Sequence, residues 1–183
     1  MHVACFNLHF PGGALVERAT LALARIRELP SPCLVLLQEA CSTTARVIEA
    51  GTRDTHGAFY TEGARPFLLT LAPLPLRRVR VRAVEFPASM TRMGRHAPLV
   101  EVGGLALAHV HLESCAASAP LRDAQAAWLR GVHGARALAG DLNGLGGWKT
   151  HVVVTSGAAD RLRCRSLRAV SPHPMCVYVM SGS

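Results

Sequence analysis

At 183 residues with a formal net charge of +8, the chain has the size of one folded domain, because two halves would each struggle to bury enough surface to offset chain entropy. Half of its residues are apolar, yet no stretch of about 18 residues lacks a charge, which excludes a membrane-spanning helix. The basic balance suits a polyanionic partner, since arginines that neutralise phosphates release counterions. Of the 20 basic residues, however, only Lys149 is a lysine, and Ala, Gly, Leu and Val crowd the chain. That is equally the imprint of a GC-rich coding sequence, so charge alone names no ligand.

Taken in chain order, the period-two run at residues 2–8 predicts a first strand, with no charged-then-apolar leader in it. Leu15, Ala19, Ala22, Leu23, Ile26 and Leu29 then recur at helical spacing until Pro30 and Pro32 stop the helix. Residues 33–39 are apolar enough for a strand buried on both faces, and Ser42, Thr43 and Thr44 read as the N-cap region of a second helix ending near Gly51. Strands follow at 67–71, 77–86, 98–102 and 105–112, separated by Pro and Gly. In the second of these Arg78, Arg80 and Arg82 make one face cationic. Leu121, Ala124, Trp128 and Val132 restore helical spacing over 120–132, a strand is expected at 136–142, and apolar pieces follow at 151–155, 162–170 and 175–180. This order predicts two packed sheets with helices outside. The six cysteines show no zinc-ligand spacing and several lie in apolar runs, as expected for reduced, buried thiols in an intracellular protein, cytoplasmic or nuclear.

Four polar signatures fall at the ends of apolar strands, Phe6-Asn7, Gln38-Glu39, His111-Leu112-Glu113-Ser114 and Gly140-Asp141-Leu142-Asn143, and a fifth, Ser171-Pro172-His173, precedes the last expected strand. A carboxylate at a strand end is commonly turn chemistry; here the sequence order of all five carries the information. That order resembles the endonuclease/exonuclease/phosphatase superfamily, whose fold is DNase I-like. With Arg122 and Gln125 following His111, the motif style is similar to its 5′-tyrosyl-DNA phosphodiesterase branch. The resemblance spans 1–183 as a single domain. It implies a compact α/β (α+β) fold, a four-layer α/β/β/α sandwich of two mixed sheets.

The resemblance also implies a metal-dependent phosphodiesterase or nuclease acting on nucleic acid or a related phosphoester. Glu39 would bind Mg²⁺, with Mn²⁺ as the alternative, and Asn7 would lie beside it, as suits a hard cation with few protein ligands. Asp141 would position or activate the attacking water. Asn143 would orient that water or the phosphate, His111 would donate to a phosphate oxygen, and His173 would contact the scissile phosphate or handle its proton. Ser114, Arg122 and Trp148 are candidate substrate contacts, the last by stacking on a base. Glu113 is expected to fix the tautomer of His111, and His109, His2 and His9 to be bystanders.

Two positions depart from the family pattern. Pro172 stands where an aspartate orients the terminal histidine, and Thr150 where another carboxylate is expected. Only four aspartates exist to replace them, Asp54, Asp123, Asp141 and Asp160, which disfavours a two-metal arrangement. A hydrolase is therefore one expectation, and a degenerate member that binds nucleic acid or a protein partner without turnover is the other. A lipid or inositol phosphate phosphatase on the same fold is a third reading. Nothing in the sequence marks an oligomeric state.

Overall fold

The computed structural model describes residues 2–8, 13–60, 67–75, 79–102 and 104–143, with the strands at 152–154, 162–166 and 176–180. The N-terminal half builds one sheet from β1 (His2–Asn7), β2 (Cys33–Ala40), β3 (His56–Tyr60) and β4 (Phe67–Pro73). The second sheet begins with β5 (Val79–Glu85), β6 (His96–Val102) and β7 (Leu105–His111) and continues with β8 (Ala137–Asp141) and β9 (Val152–Val154). The strands β10 (Leu162–Ser166) and β11 (Cys176–Met180) return to the first sheet. The orders are β10-β11-β1-β2-β4-β3 and β5-β6-β7-β8-β9. Both sheets are mixed: β1 runs parallel to β2, and β7 parallel to β8, while their other pairings are antiparallel.

Alternation along the strands sorts the apolar residues into three layers. Ala4, Phe6, Val35 and Leu37 face α1 (Leu15–Arg27) and α2 (Ser42–Thr52), meeting Ala19, Ile26 and Ile48. Val3, Cys5, Leu34 and Leu36 face Val100, Leu107, Ala137 and Ala139 between the sheets. Ala108, Val110 and Leu138 face the last helix, α3 (Ala119–Gly131), through Ala126 and Leu129. The result is the expected α/β/β/α sandwich.

Three local expectations need correction. The cap of α2 is Cys41, whose backbone N–H donates to Thr44 Oγ1 at 2.9 Å, so the helix starts where the Ser-Thr-Thr run begins. On α3 the buried stripe is Arg122, Gln125, Ala126 and Leu129, whereas Val132 is 64% exposed. The helix is rotated from its apolar stripe because two long polar side chains are needed beneath the loop that follows β7. Finally, Cys115 is exposed, although Cys5, Cys33 and Cys41 are buried as expected. Among the described residues no helix is long and apolar enough to cross a membrane.

Candidate active site

The two parallel pairs end at the same rim of the sandwich. In the first sheet Asn7 is in register with Gln38; in the second, His111 is in register with Asp141. Because side chains alternate, Val3 and Cys5 facing the seam put Asn7 there too, and Leu107 and Ala139 do the same for His111 and Asp141.

Glu39 reaches the seam by a different device. Gln38 already takes the inward position, so a regular strand would aim Glu39 at the helices. Instead β2 bulges: between Leu37 and Ala40 it carries one residue more than β4 does between Leu69 and Phe67, and Glu39 has φ 55°. A bulge re-aims a side chain at the cost of a backbone conformation that non-glycine residues rarely hold.

Asn7 joins the carboxylates, its Nδ2 donating to Glu39 Oε1 at 2.8 Å and to Asp141 Oδ2 at 3.1 Å. His111 Nε2 stands 3.8 Å from Glu39 Oε1 and 3.9 Å from Asp141 Oδ2. Burial, and next the Arg95 charge, pull the His111 pKa down to about 4. At neutral pH the ring is therefore uncharged, and these approaches are not ion pairs. Asp141 Oδ1 accepts from the Asn143 backbone N–H at 2.9 Å. The Asn143 side-chain amide donates to the Leu112 carbonyl at 2.6 Å and to Ser114 Oγ at 3.3 Å. Asn143 therefore braces the loop after β7 against the loop after β8.

Arg95, just before β6, is the site residue that sequence reading misses. One guanidinium nitrogen lies 3.0 Å from His111 Nδ1 and the other donates to Ser114 Oγ at 3.1 Å. Glu113 does not fix the His111 tautomer: its Oε1 accepts from Thr91 Oγ1 at 2.6 Å and from the Arg92 and Met93 N–H groups at 2.9 and 3.0 Å. That carboxylate holds the turn carrying Arg95. Arg122 is likewise not at the cleft surface. It is 6% exposed beneath the loop, and its guanidinium donates to the carbonyls of Glu113 and Cys115. Gln125 completes this support, accepting from the Glu113 N–H at 3.2 Å and donating to the Met90 carbonyl at 2.9 Å. Trp148, Thr150, Pro172 and His173 lie outside the described residues.

The converging donor set is anionic oxygen, Glu39 and Asp141, with the Asn7 amide between them. That chemistry fits a hard cation which takes few protein ligands and keeps water in its shell. Among the described residues no three His, Cys, Asp and Glu side chains cluster in a way that could cage a metal.

Two mixed sheets packed face to face, helices outside, and polar residues at the carboxyl ends of the parallel strands make up the endonuclease/exonuclease/phosphatase fold. No protein-family model and no curated protein matches the chain. Solved structures do. A humanized D. rerio TDP2 carrying 14 mutations is 17% identical, with 100% of this chain and 99% of that one covered at a TM-score of 0.73. A truncated Caenorhabditis elegans TDP2 is 18% identical, with 98% and 97% covered at the same score. The human Nocturnin catalytic domain with bound sulfate is 15% identical, with 99% and 93% covered at 0.65. At these identities the likeness establishes the fold.

Proposed function

We propose that this chain is a phosphodiesterase-type hydrolase of the endonuclease/exonuclease/phosphatase kind. It acts on a nucleic-acid phosphoester with one divalent cation, Mg²⁺ or Mn²⁺, held by Glu39 beside Asn7. The observation that carries the reading is the convergence of Asn7, Glu39, His111 and Asp141 from four strands of two sheets, with Asn7 and His111 each within about 4 Å of both carboxylates. A fold needs no such arrangement for stability, since it places two carboxylates close together. The substrate class draws on two further supports: the net charge of +8, and the fold shared with a D. rerio TDP2 crystallised with a single-strand DNA product, 16% identical at a TM-score of 0.63.

The bound cation would neutralise charge developing on the phosphoryl oxygens. The chain's own residues do the rest. Asp141 is fixed at both oxygens, by Asn7 and by the Asn143 N–H, so it is a rigid acceptor for the proton of an attacking water. Ser114 Oγ receives bonds from Arg95 and Asn143, which leaves its hydroxyl proton to donate. Ser114 and the His111 Nε2–H thus form a pair of donors suited to phosphate oxygens. His173 would supply a further contact.

The test is metal-dependent turnover of 5′-phosphotyrosyl, single-stranded and double-stranded DNA by the purified chain and by Glu39→Ala. The expected result is turnover that requires Mg²⁺ or Mn²⁺ and falls at least about 100-fold in the variant, the usual cost of losing a group that stabilises transition-state charge. Turnover unchanged by Glu39→Ala would overturn the metal assignment. Salt-sensitive DNA binding with no turnover would instead identify a binding module, as Pro172 and Thr150 allow.

A further inference from the structure

We propose that Arg95 is a positioning residue that locks His111 into the Nε2–H tautomer, so that His111 serves the reaction as a fixed hydrogen-bond donor and never as its base. The inference rests on the hydrolase reading for its role in catalysis, but the tautomer itself does not depend on that reading. A guanidinium has five N–H donors and no acceptor. At 3.0 Å from an Arg95 nitrogen, His111 Nδ1 must therefore be the acceptor and bear no proton. The single proton of the neutral ring then sits on Nε2, the nitrogen that faces Glu39 Oε1 and Asp141 Oδ2.

This reverses the usual arrangement of a catalytic histidine, in which a carboxylate or carbonyl accepts from Nδ1–H and leaves Nε2 free to take a proton. An arginine in that place gives the opposite polarity: Nε2 can give a hydrogen bond and has no lone pair with which to accept one. The task of accepting the proton of water falls to Asp141.

Arg95 is held for this purpose. Its second nitrogen donates to Ser114 Oγ at 3.1 Å, and its backbone N–H to Thr91 Oγ1 at 2.8 Å. The same Thr91 hydroxyl donates to Glu113 Oε1, which also takes the Arg92 and Met93 N–H groups. The turn is thus closed on itself and on the loop after β7. His111 and Ser114, the two phosphate-facing donors, are both set by one guanidinium. Lysine could not repeat this, because a single ammonium lacks the planar fork that spans two acceptors.

The test is ¹⁵N NMR of histidine-labelled protein in EDTA near neutral pH, with steady-state kinetics in Mg²⁺ on a single-stranded DNA substrate. The wild-type spectrum is expected to show His111 protonated at Nε2 and bare at Nδ1, and Arg95→Met to move it toward a mixture of tautomers. In kinetics Arg95→Met should lower kcat about 10- to 100-fold, in line with other residues that orient a functional group. The same change made on top of His111→Ala should cost less than about 3-fold, because Arg95 would then have only the Ser114 hydroxyl left to position. Arg95→Lys, which keeps the charge, should keep the fold and still lower kcat nearly as much as Arg95→Met.

Either of two results overturns the proposal: His111 protonated at Nδ1 in the wild type, or an Arg95→Met loss undiminished in the His111→Ala background. The wild-type spectrum decides the tautomer even if Arg95→Met does not fold. A protein with the expected tautomer and no turnover would sink the hydrolase reading while leaving the lock in place.

Discussion

At the scale of single residues, most of the candidate site is legible because strand ends are. Asn7, Glu39, His111 and Asp141 each close an apolar run, and the sheet fixes which side of the run they take. Arg95 is not legible: it lies in a short turn, 16 positions before His111, in a chain whose basic residues are nearly all arginine, and no local pattern separates it from the rest. The role of Glu113 was hidden for a related reason. Its nearness to His111 in sequence suggested a contact, but β7 ends at His111, and past the strand end the alternation that would put residue i+2 on the same face no longer holds. Burial pushes the Glu113 carboxyl up; the Thr91 hydroxyl, the Met93 and Arg92 N–H groups and the Arg95 charge outweigh that and hold it below the usual range. It is therefore an ionised acceptor at neutral pH. Glu113→Ala would leave three donors facing nothing. The expected loss is about 2 kcal/mol of stability, the scale of hydrogen bonds to a charged group, with a fall in kcat as the Arg95 turn loosens. Urea unfolding and kinetics measure both, and Glu113→Gln, which keeps an acceptor oxygen, should lose less of each.

At the scale of elements, the helices and the long strands follow from period and punctuation, and the failures are instructive. The strand β3 was not anticipated because its five residues, His-Gly-Ala-Phe-Tyr, are partly exposed throughout and alternate in no clear way. An edge strand covers one face only and needs no strong pattern. The α3 stripe was misplaced because Arg122 and Gln125 occupy inward positions that apolar residues usually fill. The Gly-Asp-Leu-Asn element has a packing reason for its glycine as well as a chemical reason for its aspartate. Gly140 has φ +133°, and a Cβ there would stand 2.0 Å from the Val110 carbonyl oxygen of β7. The glycine is what lets β8 lie against β7 in the register that pairs His111 with Asp141. Gly140→Ala combines backbone strain with overpacking, each worth about 1–3 kcal/mol. Thermal and urea unfolding should show a loss of at least about 2 kcal/mol, and any folded fraction should have impaired turnover, since Asp141 is the next residue.

At the scale of the whole molecule, the layered architecture was readable from the order of elements, whereas the polar link between its sheets was not. His109 lies midway along β7, fully buried between the layers, and reads in the sequence as a bystander. Gln38 Nε2 on β2 donates to its Nε2 at 2.8 Å, so the proton is on Nδ1, which donates to Thr70 Oγ1 on β4 at 2.9 Å. One imidazole, two positions before His111, thus ties the second sheet to two strands of the first, one of them through Gln38, the neighbour of Glu39. Both of its nitrogens are engaged in the neutral form, and burial first, then the nearby His111 and His96, pull its pKa down to about 3. The consequence for stability has a definite sign. The unfolded chain protonates this histidine as pH falls through about 6.5, while the folded chain resists until about 3. Protons are therefore taken up on unfolding throughout that window. The stabilising contribution is complete above pH 6.5 and is lost progressively as the solution is acidified, by about 1.4 kcal/mol per pH unit for each such group. His111 acts in the same direction down to about 4. Urea unfolding in EDTA between pH 7 and 5 should accordingly show a steep acid loss in the wild type. In His109→Gln, which keeps a donor and an acceptor between the sheets without a titrating ring, the slope should be shallower by about one proton's worth. An unchanged slope in that variant would mean that His109 does not remain neutral in the folded protein.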